Sequence, residues 1–322
     1  MKILVTGGLG VNGCWVTRRL LESGHEPVVL DVRDDRSLLR DVATDFEFVQ
    51  ADITDTAAMP EILKSRRIER ICHLAAIYPD ACDENPMQGF RINALATVNL
   101  LEAARQTGIR RFIYTSSVGT LAPVAPDQAG HPVDESHPAD PSGSPGVYGA
   151  TKVASELMGQ NYQRLFGLEF AALRFSSIFG PGKVNPRLGN ANMSVWGRIV
   201  SSALAGQPVK LPGGADEQHD VVYARDVAQS VVLACLAEKL PHNVYHIGAG
   251  RSYSLAELCE RVKLALPDAK IELGNAGSGR KFPPWVMDIS RAQRDLNYQP
   301  EFAPERAILD WREWAQKLGL TG

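Results

Sequence analysis

The chain has 322 residues, with 34 Lys+Arg against 37 Asp+Glu and a formal net charge of −3. Hydrophobic residues make up 44%, the ordinary share for a soluble globular protein, and the length suits one large domain or two coupled ones. The balanced charge gives no electrostatic case for nucleic acid or an anionic membrane, and no apolar run approaches the ~20 residues of a membrane span, so the expected partner is a small molecule.

The first third alternates strand and helix patterns. Residues 2–6 read as a short apolar strand, too short for a signal-peptide core, so a cytoplasmic location is expected. A helix follows over 12–23 on Val16, Leu20 and Leu21, ended by Gly24. Strands are predicted over 27–30, ending at Asp31, and over 46–50, then a helix over 57–67 and a strand over 70–74. Residues 93–107 carry Leu95, Val98, Leu101 and Ala104 on one helical face, closed by Gly108, and 111–114 form a fifth strand. This rhythm predicts an α/β fold of Rossmann type, a doubly wound parallel sheet with its ligand at the carboxyl edge. Prolines 123, 126, 132, 138, 141 and 145 then break the rhythm, so 122–146 reads as a surface loop of the kind that serves as a lid.

A helix over 147–166 and a strand over 169–175 resume the pattern. Past Phe179-Gly180-Pro181-Gly182 it loosens as far as Asn192. Helices over 195–205 and 224–237, a strand over 244–247, and helices near 255–266 and 305–318 complete the chain. The expected division is an NAD-binding domain over 1–178, with segments near 219–247 crossing back to it, and a smaller substrate lobe made mainly of 179–322. Cys14, Cys72, Cys82, Cys235 and Cys259 form no CxxC pair and have no His at zinc spacing. They read as buried small hydrophobes, and no metal is expected.

Gly7, Gly10 and Gly13 punctuate the turn between the first strand and first helix, with Val11 and Asn12 beside them. Glycine there permits a tight turn and lets backbone N–H groups approach a pyrophosphate at the helix N-terminus. Asp31 ends the next strand, where a carboxylate accepts from ribose hydroxyls and repels a 2′-phosphate; the cofactor expected is NAD rather than NADP. Arg33 and Arg36 are the nearby cations that would favour the phosphate instead. Asp52 and Ile53 end the third strand, within reach of the adenine, and Asp55 reads as a helix cap. Leu74, Ala75 and Ala76 end the fourth strand and are small enough for backbone to pass the cofactor, whereas His73 reads as a packed structural histidine.

Tyr148 and Lys152 stand one turn apart on a predicted helix, and Thr115-Ser116-Ser117 ends the fifth strand. A Tyr-x-x-x-Lys pair alone is common, but here it joins a glycine turn and a strand-end hydroxyl. With these features the sequence resembles the extended short-chain dehydrogenase/reductase family of epimerase and dehydratase relatives. The resemblance covers nearly the whole chain: Thr6 to Gly13, His73 to Ala76, Asn93 with the residues after it, Thr115 to Ser117, Tyr148-Gly-Ala-Thr-Lys152, Leu173-Arg-Phe175, Phe179 to Gly182 and Asp220 to Val227.

The resemblance implies Tyr148 as the acid/base, with its proton affinity lowered by the Lys152 ammonium and the nicotinamide charge. Lys152 would also hold the nicotinamide ribose. Ser117 would bond the reacting oxygen, with Ser116 as the substitute if the register differs by one. Thr115 and Phe175 would lie beside the cofactor, and Asn93 would position backbone near it. Helices 93–107 and 147–166 match those that pair in many family dimers, with small residues Ala150, Ala154 and Gly159 permitting close approach, so a homodimer is expected.

Two departures bear on substrate. Ser177 stands where the family's nucleotide-sugar enzymes usually have Asn, and His219 stands where they usually have an Arg that grips the diphosphate. The expectation that follows is a small free sugar, sugar acid or related hydroxy compound, oxidised with net NADH formation. Lys183, Arg187 and Arg280 are the cations available to such a substrate. The alternative is a nucleotide-sugar epimerase or dehydratase with transient NAD reduction, in which His219 and its neighbours replace the usual clamp. A third reading, a non-catalytic NAD sensor, is opposed by the intact Ser117, Tyr148 and Lys152.

Overall fold

Near-continuous apolar runs build the central sheet of the computed structural model, which describes residues 1–128, 130–140, 146–183, 194–277 and 285–319. The strands are β1 (Lys2–Thr6), β2 (Glu26–Asp31), β3 (Glu47–Gln50), β4 (Arg70–His73), β5 (Arg111–Ser117), β6 (Pro132–Val133), β7 (Glu169–Phe175), β8 (Ser177–Phe179), β9 (Val209–Gly213), β10 (Gln218–His219), β11 (Val221–Tyr223), β12 (Val244–Ile247), β13 (Tyr253–Ser254), β14 (Ile271–Ala276) and β15 (Val286–Met287). The helices are α1 (Gly13–Glu22), α2 (Ala58–Ser65), α3 (Pro79–Glu84), α4 (Pro86–Phe90), α5 (Ala96–Thr107), α6 (Gly146–Phe166), α7 (Val195–Leu204), α8 (Ala224–Leu236), α9 (Leu255–Ala265), α10 (Ser290–Leu296) and α11 (Pro304–Lys317).

Seven strands form one parallel sheet in the order β12-β7-β5-β4-β1-β2-β3. Apolar side chains alternate to its two faces, so the sheet carries one hydrophobic core on each side. Val5, Val16, Leu173 and Val231 belong to one; Leu4, Leu100, Phe112 and Phe170 belong to the other. Helices cover both faces, which is why these strands read as buried runs rather than alternating ones. The order reverses at β1 and β4, the point where the fold opens a crevice at the strands' carboxyl ends. A third core, around Phe179, Trp196, Tyr223, Leu258 and Trp311, lies under α7, α9 and α11.

Most predicted elements are observed within one or two residues. Two differences matter for the site. β5 runs to Ser117, three residues past its predicted end, because Thr115, Ser116 and Ser117 pair with Leu173, Arg174 and Phe175. The predicted helix 93–107 begins as a π turn over Arg91–Leu95 and becomes α-helical only at Ala96. There the Asn93 carbonyl accepts from the hydroxyls of Thr97 (2.7 Å) and Ser155 (3.0 Å). The paired segments β9–β14, β10–β13 and β6–β15 lie outside the predicted elements, while β11 falls within Asp220 to Val227, which the resemblance implies to be a hinge strand, and pairs with β8. Such short strands pair with distant sequence and have no periodic signature of their own. β6 lies within the proline-rich stretch, whose start is also tied down: Ala122 N–H donates to Pro138 O at 2.9 Å, and Trp285 Nε1–H donates to Ala122 O at 2.8 Å.

Candidate active site

A cleft of about 710 Å³ opens across the ends of β1 to β4. Its walls include Gly7, Gly10, Val11, Asn12, Gly13, Asp31, Asp52, Ile53, Leu74, Ala75 and Ala76, all expected at a dinucleotide site. The glycines shape it by close approach. Gly7 has φ +64°, and a Cβ there would lie 2.8 Å from Ala75 Cα; a Cβ on Gly13 would lie 2.1 Å from Gly7 O. Gly10 is looser, its virtual Cβ 3.1 Å from Gly7 O. These contacts press the start of α1 against the turn and aim its N-terminal N–H groups at the cleft.

Asp31 accepts from the backbone N–H of Leu9 (3.3 Å) and Arg33 (3.4 Å). Burial pushes its carboxyl above the ordinary value, opposed by those N–H groups. Of the two arginines weighed against it, Arg36 is turned to Asp34 at 2.6 Å and over the Phe48 ring, while Arg33 stays at the cleft wall. Asp52 accepts from Thr54 N–H at 2.8 Å, and Asp55 caps the approach to α2 through Ala57 and Ala58 N–H, both at 3.0 Å. Replacing Asp31 by Ala is expected to raise NADP affinity relative to NAD, because the carboxylate no longer repels a 2′-phosphate. Calorimetric Kd values for both cofactors test this; an unchanged ratio refutes it.

Beneath the cleft, His73 is fully buried and bonds on both ring nitrogens, to Thr6 Oγ1 (2.6 Å) and Thr97 Oγ1 (3.0 Å). The Thr97 hydroxyl already donates to Asn93 O, so the ring donates from Nε2 and accepts at Nδ1. Burial and the Lys152 charge hold His73 neutral, its pKa near 3. Asn93 does not reach the cleft: its side chain spans Ile77, accepting from the N–H at 2.8 Å and donating to the carbonyl at 3.0 Å. It therefore shapes the strand-end backbone rather than lining the cofactor cleft.

Ser117, Tyr148 and Lys152 converge where β5 meets the start of α6. Ser117 lies beside the Tyr148 phenol, and its hydroxyl accepts from Gly119 N–H at 3.1 Å. Lys152 Nζ donates to Thr115 O at 2.8 Å and lies 4.7 Å from the Tyr114 ring centroid and 5.5 Å from that of Tyr148. Ser116 faces away and donates to Glu156 Oε1 at 2.5 Å. Contrary to expectation, Lys152 is not among the groups that lower the phenol's proton affinity. Burial pushes the Tyr148 phenol up, Tyr78 adds to the rise, and the lowering comes from Ser117. Burial also lowers Lys152, to about 8.

Tyr78 links the two regions, since it lines the cleft and acts electrostatically on Tyr148. Ile77, Tyr78 and Leu9 are cleft residues that the sequence motifs did not single out. Their signal was only adjacency to the strand ends. Phe175 ends β7 opposite Ser117 in register. The substrate candidates are scattered by comparison. Ser177 is exposed on β8, and Lys183 Nζ lies 5.5 Å from the Tyr78 ring centroid. His219 is buried, its Nε2 3.4 Å from Glu217 Oε1. Arg187 and Arg280 lie outside the described residues. All five cysteines are buried and free. No group of metal-ligating side chains occurs among the described residues, and no described helix is long and apolar enough to cross a membrane.

A seven-stranded Rossmann sheet, a glycine cradle and a Ser-Tyr-Lys cluster together define an oxidoreductase of the short-chain dehydrogenase/reductase type. Residues 3–248 match the NAD dependent epimerase/dehydratase family, and the chain belongs to that family, in its extended branch; its cofactor is NAD. A putative UDP-glucose 4-epimerase of Methanocaldococcus jannaschii is 32% identical over 325 residues, covering 99% of this chain and 100% of that one. The UDP-glucose 4-epimerase of Thermotoga maritima, solved with UDP-glucose, superposes with a TM-score of 0.85 at 25% identity, covering 98% of this chain and 99% of that one. The Thermus thermophilus UDP-glucose 4-epimerase, solved with NAD, gives 0.81 at 26% identity, with coverage of 98% and 99%. The cleft suits NAD on its own geometry: glycines that let the turn pack closely beside it, a helix N-terminus facing it, and a strand-end carboxylate at Asp31.

Proposed function

We propose that this protein is a 4-epimerase of a nucleoside-diphosphate-linked sugar. The observation that carries the reading is the Ser117–Tyr148–Lys152 cluster beside an NAD cleft, in a chain similar over its whole length to UDP-glucose 4-epimerases. This reverses the order of the two readings weighed from sequence. The small-substrate reading rested on Ser177 and His219, which are local departures, whereas the similarity spans the chain.

Bound along the cleft, NAD would supply a transient two-electron acceptor for inversion at a carbinol carbon. Tyr148 removes the proton from the reacting hydroxyl and returns it to the same oxygen once the carbon has inverted. The proton taken as the carbinol is oxidised is the one returned as the ketone is reduced, and a phenol beside a hydroxyl can carry it in both directions. Ser117 orients the reacting oxygen and favours the phenolate, and Lys152, anchored on the Thr115 carbonyl, frames the site.

Incubation with UDP-glucose and catalytic NAD is expected to form UDP-galactose, followed by proton NMR, without net NADH absorbance. Net NADH formation from free sugars or sugar acids, with no turnover of nucleotide sugars, would restore the dehydrogenase reading.

The same reading includes a homodimer. Met87, Phe90, Leu95, Leu157, Leu165 and Phe166 are exposed apolar residues on α4, the π turn and α6, elements that pack side by side, and such a patch marks a protein interface. Ala150 is exposed on the same helix, but Gly159 serves the sheet instead: a Cβ there would lie 2.1 Å from the Phe170 ring. Leu157→Asp is expected to shift light-scattering mass from dimer to monomer. A wild-type monomer at micromolar concentration would refute the dimer.

A further inference from the structure

Three consecutive residues of β5 meet three residues of α6 spaced one turn apart. Ser117 neighbours the Tyr148 phenol, the Thr115 carbonyl accepts from Lys152, and the Ser116 hydroxyl donates to Glu156. Tyr148, Lys152 and Glu156 therefore share one helix face. Glu156 is 2% exposed and Arg174 5%. Arg174 clamps the carboxylate with Nη2 to Oε2 at 2.7 Å and Nε to Oε1 at 3.0 Å. It stands opposite Ser116 in the β5–β7 register. A buried ion pair adds little net stability over apolar residues of the same volume, so its effect is to be sought in its neighbours.

We propose that Glu156 is a positioning residue of the active site: held by Arg174, its carboxylate fixes Ser116, so that Ser117 faces Tyr148, and keeps the Lys152 ammonium charged. The strand's alternation links the two serines, since a fixed Ser116 leaves Ser117 directed to the opposite side. The charge acts through space. Among the groups that oppose the burial of Lys152, Glu156 acts most strongly, followed by the Cys82 thiol of α3. The other groups facing the ammonium are the Tyr114 and Tyr148 rings, the Thr115 carbonyl and neutral His73. None of these supplies a full negative charge at neutral pH. Taking the carboxylate away disfavours the charged amine, so the amine must then lose its proton at lower pH.

The test follows Lys152 Nζ by NMR in the full-length, lysine-¹⁵N-labelled protein, with the signal assigned by its loss in Lys152→Met. Wild-type Lys152 is expected to titrate at about 8. Glu156→Gln should lower that midpoint by about one pH unit or more, and Glu156→Asp should restore most of it. Gln leaves the Arg174 charge uncompensated in the core, so the double variant Glu156→Gln/Arg174→Met is the second probe. It removes both charges and should still titrate below wild type. A folded variant of either kind with the wild-type midpoint overturns the proposal. Failure of both to fold would assign Glu156 to stability alone and overturn it equally. The readout needs no turnover, so its result stands apart from whether the protein epimerises a nucleotide sugar, the reading on which the roles of Tyr148 and Lys152 rest.

Discussion

Tyr148→Phe is expected to lower kcat by roughly 10²- to 10⁴-fold, the range for loss of a positioned general acid/base, while NAD affinity stays within a few-fold of wild type. The phenol oxygen is the only atom removed. Ser117 keeps its bond to Gly119 N–H, and Lys152 keeps its bond to Thr115 O, so the backbone that frames the site has no reason to move. Tyr148 is also absent from the residues lining the cofactor cleft, so truncating its hydroxyl leaves the cleft walls intact. Burial pushes the phenol upward, so proton transfer depends on the charge and hydrogen bonds around it, and Phe offers nothing to take the proton instead. Steady-state kinetics with UDP-glucose and calorimetry with NAD check the two halves separately. Near-normal kcat would remove Tyr148 from its proposed role.

Gly13→Ala is expected to weaken NAD binding at least tenfold, equivalent to about 1.4 kcal/mol, and to lower Tm. A Cβ at Gly13 would lie 2.1 Å from Gly7 O, 2.6 Å from Gly8 Cα and 2.9 Å from Gly7 C. All three are backbone atoms, so no side chain can swing aside. Either α1 lifts from the turn or the turn opens, and both displace the N–H groups aimed at the cleft. Forcing one extra carbon into packed surroundings typically costs about 1–3 kcal/mol. Gly10→Ala is the control: its virtual Cβ meets only Gly7 O, at 3.1 Å, so it should fold more nearly as wild type. Thermal melts and NAD calorimetry on both variants separate the effects. Equal behaviour of the two would mean that the close packing at Gly13 is not what shapes the cradle.

What the sequence determined by itself was whatever is local in the chain. Strand and helix periods, the Gly7–Gly10–Gly13 spacing, the strand-end position of Asp31 and the one-turn separation of Tyr148 and Lys152 are properties of neighbouring residues, and the structure places all of them at one sheet edge. Tertiary structure alone decided between Ser116 and Ser117, because that depends on where β5 ends and which way its alternation points once β7 pairs with it. It also decided that the backbone Asn93 braces is that of Ile77, that burial raises the Tyr148 phenol, and that Gly159 receives the Phe170 ring. Each of these is set by the desolvation or close contact of residues far apart in sequence, which no local pattern encodes.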